Sequence, residues 1–251
     1  MRRLVVATAV MAVLLIALPA NAITHGTVDG TSHANVGGLV HRSQYSDGTW
    51  LYCTGTLISP TVFLTAAHCN RSGRAVTVSF DPAYVAGDPI YSGTFERDPL
   101  YSQRENDPHD LAVVVLDKPI RDITPAALPS AGALSHLGKN QRFTSVGYGA
   151  YEVTNGPGGH RYLYNDVRMV ATGGLNTVNK SWLRVSMNPA KGDGGSCFGD
   201  SGGPNFVGGG DVIAGITITG DAVCRATNVD YRLDTTSART FLRQYVALPS
   251  E

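Results

Sequence analysis

The chain has 251 residues, of which 43% are hydrophobic and 16% are charged. This composition is ordinary for a globular protein, and the length is sufficient for one large domain or two small ones with real cores. Its 20 basic and 20 acidic residues balance, and no basic cluster is present, so nothing in the charge pattern suggests nucleic acid as a partner.

Residues 1–22 have the pattern of a secretory signal peptide. Two arginines form a short positive region, residues 4–18 are almost entirely apolar, and a small-residue Ala-x-Ala site ends at Ala22. A membrane anchor is the alternative, but the apolar run is short for a span of about 20 residues. We therefore expect a secreted protein that begins at Ile23 and has no membrane partner after the signal is removed.

Short strands separated by turns are predicted from residue 23 onward, because 29 glycines and 13 prolines favour strands and turns over long helices. In the first half, strands are expected over residues 35–40, 50–58, 62–65, 75–80 and 111–116. A connector rich in proline, alanine, serine and glycine follows at about residues 119–138. The second half repeats the pattern over residues 142–148, 161–171, 182–187, 212–219 and 229–233.

One helix is predicted at the end of the chain, at about residues 236–248. Thr235, Thr236 and Ser237 offer side chains for its N-cap, and apolar residues then recur on one face. The predicted class is therefore all-β with a C-terminal helix.

Four cysteines are present, an even number that indicates two disulfides in a secreted chain. Three pairings are possible, and pairing neighbours in the sequence gives Cys53–Cys69 and Cys197–Cys224. The cysteines lack the Cys-x-x-Cys spacing of zinc sites. We expect no metal and no other cofactor.

Ser201 lies in the glycine-rich run Gly199-Asp200-Ser201-Gly202-Gly203-Pro204. Flanking glycines allow backbone angles that other residues avoid, which suits a serine exposed as a nucleophile beside backbone N–H groups. A solvated serine in a glycine-rich turn is the plain alternative.

A serine nucleophile needs a base and an acid that orients the base. His68 is held next to Cys69, which limits its backbone freedom. Asp110 opens the apolar strand Leu111–Leu116, where a carboxylate can be desolvated and fixed. These two residues are the best candidates.

Three motifs resemble those of the chymotrypsin/trypsin-like serine peptidases. They are Thr65-Ala66-Ala67-His68-Cys69, the run from Asp110 to Leu116, and the run from Gly199 to Pro204. Their order and wide spacing are also similar, and the resemblance covers nearly all of residues 23–251. It implies two six-stranded antiparallel β-barrels, at about residues 23–125 and 135–234, followed by the C-terminal helix.

The resemblance also implies roles for the site residues. Ser201 is then the nucleophile, His68 the general base and later the general acid, and Asp110 the group that orients His68. The backbone N–H groups of Gly199 and Ser201 form the oxyanion hole, and the two disulfides match pairs found in the family. The implied activity is that of a monomeric, secreted endopeptidase acting on peptide or protein substrates.

Chain order excludes one competing fold. In α/β-hydrolases, which share the Gly-x-Ser-x-Gly motif, the acid and the histidine follow the serine, whereas the last histidine of this chain is His160. A non-catalytic binding protein on the same scaffold and an esterase or narrow processing peptidase remain alternatives.

In the resembled family, a newly freed terminal ammonium enters the protein and pairs with the acid before the serine, here Asp200. A buried carboxylate needs such a partner, and we hypothesise that Ile23 supplies it after signal cleavage. Capping of Asp200 by backbone N–H groups alone is the alternative.

The specificity pocket is expected from the distance to Ser201 along the chain. Its base falls at Gly195 and Ser196, and its walls at Thr219, Gly220 and Val229. Trypsin-like enzymes carry an aspartate at this base to pair with Arg or Lys, but here Asp193 lies two residues earlier, outside the pocket. We expect small or medium apolar side chains before the scissile bond instead of Arg or Lys.

Overall fold

A computed structural model describes residues 23–71 and 73–250 of the chain. The predicted signal peptide, residues 1–22, lies outside these described residues. Within them, no helix is long and apolar enough to cross a membrane.

The first barrel consists of six antiparallel strands. The strands before residue 120 are β1 (Thr27–Val28), β2 (Val36–Val40), β3 (Leu51–Ser59), β4 (Val62–Thr65), β5 (Ala75–Ser79), β6 (Tyr91–Arg97) and β7 (Ala112–Leu116). Strands β2 to β7 close in the order β2-β3-β4-β7-β6-β5. Phe63, Leu64 and Phe95 are among the fully buried side chains of its core, so the barrel is a packed core and not a channel.

The second barrel also has six antiparallel strands. The elements after residue 120 are β8 (Arg142–Gly147), β9 (Glu152–Gly156), β10 (Gly159–Leu163), β11 (Met169–Val178), β12 (Trp182–Ser186), β13 (Pro204–Val207), β14 (Ile213–Gly220), β15 (Thr227–Arg232) and the helix α1 (Thr236–Leu242). Strands β11, β12, β15, β14, β13 and β8 close because β8 pairs with both β13 and β11. Strands β9 and β10 form a separate hairpin.

The predicted fold class of two six-stranded barrels with a terminal helix is confirmed. Two barrel strands, β6 and β13, were not predicted. Strand β6 contains a glycine and four polar residues that obscure its alternation, and β13 begins at Pro204, which usually marks a turn.

Helix α1 is shorter than the sequence indicates. Thr235 is its N-cap, with a side chain that accepts a hydrogen bond from the N–H of Ala238, but the helix ends at Leu242. The apolar residues beyond it, Tyr245 and Val246, still pack on the core from turn conformations. The spacing of apolar residues after Thr235 therefore indicates which side chains are buried, but it does not indicate where the helix ends.

The segment before β2 belongs with the second barrel, although the sequence placed residues from 23 onward in the first. Strand β1 pairs with β11, and Thr24 forms a bridge with Gly195. The strands of the first barrel begin at Val36. Local patterning gives no sign of this, because two exposed residues of an edge strand do not indicate which sheet they join.

A buried ion pair fastens this segment to both barrels. Arg168 is 1% exposed, and its Nε lies 2.9 Å from Asp29 Oδ2. Its Nη1 donates to the carbonyls of Val36 and Phe80 in the first barrel, and its Nη2 donates to the carbonyl of Gly30. A buried charge is tolerated only when it is paired and its donors are satisfied, and Arg168 meets both conditions.

Replacement of Arg168 by methionine should destabilise the protein by about 3–5 kcal/mol, because it leaves the Asp29 carboxylate buried without its cation. Urea denaturation of both proteins measures the difference. Arg74→Met is the matched control, since Arg74 forms an exposed pair with Glu96 and should cost less than about 1 kcal/mol. Equal losses in the free energy of unfolding for the two variants would contradict the role of Arg168 as the buried partner of Asp29.

Candidate active site

A cleft of ≈510 Å³ is lined by residues of both barrels. The first barrel contributes Tyr52 and His68, and the second contributes Ser196, Ser201 and Thr217. The three residues expected to carry the chemistry come from separate elements, so each must be placed by its own local structure.

His68 and Asp110 are joined by two hydrogen bonds. The imidazole Nδ1 lies 2.7 Å from Asp110 Oδ2, and the backbone N–H of His68 donates to Asp110 Oδ1 at 3.0 Å. Asp110 is 3% exposed. A carboxylate beside Nδ1 favours the tautomer with its hydrogen on Nδ1, which leaves Nε2 as a proton acceptor.

Strand register brings these two residues together. His68 lies in a 3₁₀ turn, Ala67–Cys69, directly after β4, and Asp110 comes just before β7. Strands β4 and β7 are antiparallel, with Thr65 opposite Ala112. The end of one strand therefore lies beside the start of the other, although the residues are far apart in sequence.

The loop that carries Asp110 is tied to the second barrel. His109 has a positive φ of 47°, and its Nδ1 lies 2.9 Å from Asp98 Oδ2. Asp107 accepts hydrogen bonds from the hydroxyls of Tyr231 and Ser237, each at 2.7 Å. These contacts hold the loop from both sides.

Ser201 lies on the same cleft, in a turn that requires glycine. Gly202 has a φ of 80°, and a Cβ at this position would collide with Thr65 Oγ1. The close approach allows the backbone N–H of Thr54 to donate to the Ser201 carbonyl at 2.9 Å. Among the described residues no hydrogen bond joins the Ser201 hydroxyl to His68, a bond that is often long in ligand-free enzymes.

Two backbone N–H groups beside Ser201 are free. Those of Gly199 and Ser201 find no acceptor in the part of the chain that the structure describes, whereas the N–H of Asp200 between them donates to the Cys197 carbonyl at 3.0 Å. Gly199 has a φ of 98°, which is unfavourable for other residues. Two fixed donors at this position can stabilise an oxyanion.

Asp200 is buried behind the serine. Its Oδ1 accepts a hydrogen bond from the N–H of Gly149 at 2.8 Å, and its Oδ2 accepts one from the N–H of Cys197 at 2.7 Å. Burial raises the pKa of Asp200 to about 7, and the two hydrogen bonds oppose this rise. No cationic side chain among the described residues pairs with it.

The N-terminal segment packs close to this region. Ile23 is fully buried among apolar residues that include Met169 and Ala171. The hydroxyl of Thr24 donates to the carbonyls of Gly195 and Cys224. The segment is therefore anchored to the strand-like stretch that leads into the serine loop.

Both disulfides border the cleft, with the pairing expected from the sequence. Cys53–Cys69 joins β3 to the turn that carries His68, and Cys197–Cys224 joins the serine loop to the loop between β14 and β15.

The pocket differs in part from its predicted composition. Ser196, Thr219 and Gly220 line the cleft, but Gly195 and Val229 are not part of its lining. Gly195 pairs with Thr24 and faces Met187. Val229 alternates with Asn228 along β15, so their side chains point to opposite faces of the strand. The number of residues between a position and Ser201 does not show which face of β15 its side chain occupies, so the sequence alone could not exclude Val229.

Asp193 lies outside the cleft, as expected, with its carboxylate 3.0 Å from Arg142.

A buried polar network that was not expected from the sequence lies at the floor of the cleft. Thr217 and Asn228 line the cleft beside Ser196. Asn228 Nδ2 lies 2.7 Å from Oδ1 of Asp230, which is fully buried. Burial raises the pKa of Asp230 to about 8, opposed by hydrogen bonds from Thr217 and Asn228. The sequence carries one indication of this network, because a polar residue stands at every second position from Asn228 to Arg232 and such residues share one face of a strand.

Comparisons with known proteins find a matching family and several similar proteins. A sequence profile described as "Trypsin" matches residues 28–241. The chain is 30% identical over 175 residues to trypsin of Phaedon cochleariae, covering 63% of this chain and 65% of that protein. It is 28% identical over 160 residues to glucanase inhibitor protein 1 of Phytophthora sojae, covering 61% and 60%. It is 29% identical over 175 residues to vitamin K-dependent protein C of Rattus norvegicus, covering 62% and 37%.

Each of these matches spans less than two thirds of the relative's length. The solved structure of HL collagenase superimposes with a TM-score of 0.69 at 20% identity, covering 88% of this chain and 97% of that one. At this identity the likeness concerns the fold.

Replacement of Asp230 by asparagine should change how stability depends on pH. An unfolded aspartate ionises near pH 4, whereas burial raises the folded pKa of Asp230 to about 8. Between these values the folded protein retains a proton that the unfolded chain releases, so this group lowers stability by about 1.4 kcal/mol per pH unit as pH rises.

The free energy of unfolding of Asp230→Asn, minus that of the wild type, should therefore increase from pH 5 to pH 7 in urea denaturation. Asp122→Asn, at an exposed position, controls for the loss of one carboxyl group and should follow the wild type. Parallel pH profiles for wild type and Asp230→Asn would contradict a neutral buried Asp230.

Proposed function

The chain belongs to the trypsin family, and from this premise we propose that it is a secreted serine endopeptidase that cleaves peptide bonds through an acyl-enzyme intermediate. The observation that carries the proposal is the arrangement of the hydrogen-bonded His68–Asp110 pair and Ser201 on one cleft. Export depends on residues 1–22, whose pattern is that of a signal peptide.

In the proposed reaction, Ser201 attacks the substrate carbonyl while His68 Nε2 takes its proton. Asp110 holds the ring in the productive tautomer and stabilises the imidazolium that forms. The free N–H groups of Gly199 and Ser201 then bind the oxyanion, an interaction typically worth about 3 kcal/mol per donor. His68 next donates its proton to the leaving amine, and a water molecule activated by the same imidazole releases the acyl group.

We do not expect the enzyme to be specific for Arg or Lys before the scissile bond. Asp193 is paired with Arg142 outside the cleft. Asp230 lies behind Asn228 and does not line the cleft. A cationic side chain would thus meet no exposed carboxylate at the floor.

A non-catalytic binding role on the same scaffold is the second candidate. Its support is the similarity to glucanase inhibitor protein 1, which is named for inhibition and not for peptidase activity. The presence of Ser201, His68 and Asp110, together with two unused N–H donors, favours catalysis. An esterase or a narrow processing peptidase is distinguished by comparing ester and amide substrates, because the triad acts on both.

We propose further that the Ile23 ammonium, freed by signal cleavage, pairs with Asp200. Three observations support this role. Ile23 is fully buried, Thr24 pairs with the stretch leading to the serine loop, and no cationic side chain of the described residues pairs with Asp200. Ile23 also has a φ of 55°, which a β-branched residue rarely adopts. Cleavage of the preceding peptide bond abolishes that torsion angle and its cost.

Ser201→Ala should reduce kcat/KM for peptide substrates by at least about 10⁴-fold, because the nucleophile is lost. It should also abolish covalent labelling by a fluorophosphonate. Ser130→Ala, at an exposed position, is the control and should keep both properties. Unchanged hydrolysis in Ser201→Ala, or a wild type that neither labels nor cleaves any peptide, would overturn the proposal.

N-terminal sequencing of the secreted, active protein should begin Ile23-Thr24-His25. Asp200→Asn should reduce kcat/KM at least about 100-fold, since breaking a buried ion pair typically costs 3–5 kcal/mol. Asp211→Asn is a matched change at an exposed site and should have no effect. An active protein with any other first residue would refute the pairing with Ile23.

A further inference from the structure

The floor of the cleft is polar, whereas the sequence led us to expect small or medium apolar side chains before the scissile bond. Ser196, Thr217 and Asn228 line it. Their side chains contact one another: Ser196 Oγ lies 3.0 Å from Thr217 Oγ1, and Asn228 Nδ2 lies 3.1 Å from Thr217 Oγ1 and 3.3 Å from Ser196 Oγ. Side chains that hold each other in this way keep a fixed arrangement of donors and acceptors.

The network fixes the orientation of the Asn228 amide. Its nitrogen is directed to Asp230 Oδ1 at 2.7 Å, and Asp230 Oδ1 also accepts from Asn205 Nδ2 at 2.7 Å. No donor among the described residues reaches Asn228 Oδ1. Because Asn228 lines the cleft and its nitrogen is occupied, Oδ1 is the atom that it can offer to a ligand, and this atom is an acceptor.

Ser196 offers the complementary group. Thr217 Oγ1 already receives amide hydrogens from Asn205 and Asn228, at 3.1 Å each. These two bonds occupy the two lone pairs of the Thr217 hydroxyl. The hydroxyl hydrogen of Ser196 is therefore not needed by Thr217 and can be donated into the cleft.

Asp230 supports this arrangement as a neutral acid. Its Oδ2 is buried and has no hydrogen-bond partner in the described part of the chain. An ionised carboxylate with an unsolvated oxygen is strongly unfavourable, in agreement with the raised pKa of this group. The floor therefore carries no negative charge at neutral pH that could pair with a cation.

We propose that this pocket selects a primary carboxamide, the side chain of glutamine or asparagine, immediately before the scissile bond. The carboxamide NH₂ donates to Asn228 Oδ1, and its carbonyl accepts from the Ser196 hydroxyl. The inference rests on the proposed peptidase function and specifies the substrate of that same site. Asn228 and Ser196 are the residues that determine specificity, and Asp230 is a positioning residue that acts through Asn228.

The competing side chains fit this floor less well. An apolar side chain leaves Asn228 Oδ1 without a donor and the Ser196 hydroxyl hydrogen without an acceptor, and sites built to hydrogen-bond a substrate group reject analogues that lack it. A carboxylate places a second acceptor against Asn228 Oδ1. A lysine or arginine meets no carboxylate among the floor side chains Ser196, Thr217 and Asn228; the aspartates that line the cleft, Asp47 and Asp221, are not part of this floor network.

The test uses peptides that differ only in the residue before the scissile bond: glutamine, asparagine, glutamate, methionine, leucine and lysine. Glutamine or asparagine should give the highest kcat/KM, at least tenfold above methionine, leucine and lysine. Asn228→Leu should lower the glutamine-to-methionine ratio at least tenfold. Ser196→Ala, a smaller change, should lower the same ratio.

Asn176→Leu is the matched control, since Asn176 is exposed on β11 and does not line the cleft; it should leave the ratio unchanged. Fluorophosphonate labelling reports the fraction of folded, competent enzyme in every variant. A labelled wild type that prefers methionine, leucine, lysine or glutamate overturns the carboxamide inference and leaves the peptidase function standing. So does a labelled Asn228→Leu or Ser196→Ala with an unchanged ratio. A wild type that is neither labelled nor active on any peptide overturns the peptidase function, and the inference with it.

Discussion

The site depends on a close approach between the two barrels that only glycine permits. At Gly202 the serine loop of the second barrel lies against Thr65 and the backbone of Thr54 in the first. A side chain at this position would push the loops apart and move Ser201 away from His68. The glycine-rich motif is therefore needed as much for contact between the barrels as for the shape of the serine turn.

Other polar contacts hold the two barrels around this point. Arg168 and Asp29 join the N-terminal segment to both barrels. Burial alone would raise the pKa of Asp29, but hydrogen bonds from His33 and Arg168 hold it below its usual value. On another side, Asp107 links the Asp110 loop to Tyr231 of β15. Because a site that both barrels line is disrupted if the barrels shift, such directional contacts suit this interface better than apolar packing alone.

The sequence sufficed for features that are local or that rest on a motif. Strands with clear alternation and the cap at Thr235 could be predicted, and so could the pairing of His68 with Asp110 at the ends of neighbouring strands. Contacts between residues on different strands could not be predicted in this way. Placing the pocket base at Gly195 assumed a fixed distance along the chain, whereas side-chain alternation in β15 places Asn228 at the floor and turns Val229 away.

Two buried aspartates near the cleft have surroundings that imply different states. Within the described residues Asp200 accepts two backbone N–H bonds and none from a cationic side chain, which is the surrounding expected of a carboxylate in the proposed pairing with the Ile23 ammonium. Asp230 has Oδ1 saturated by side-chain donors and Oδ2 enclosed without a partner. Asp230 thus gains little from ionisation and serves as a neutral acceptor that orients Asn228. In the proposed roles, Asp200 is a carboxylate that pairs with a freed ammonium and Asp230 is a neutral acceptor that holds Asn228 in place. Burial alone does not distinguish the two aspartates, whereas their hydrogen-bond partners do.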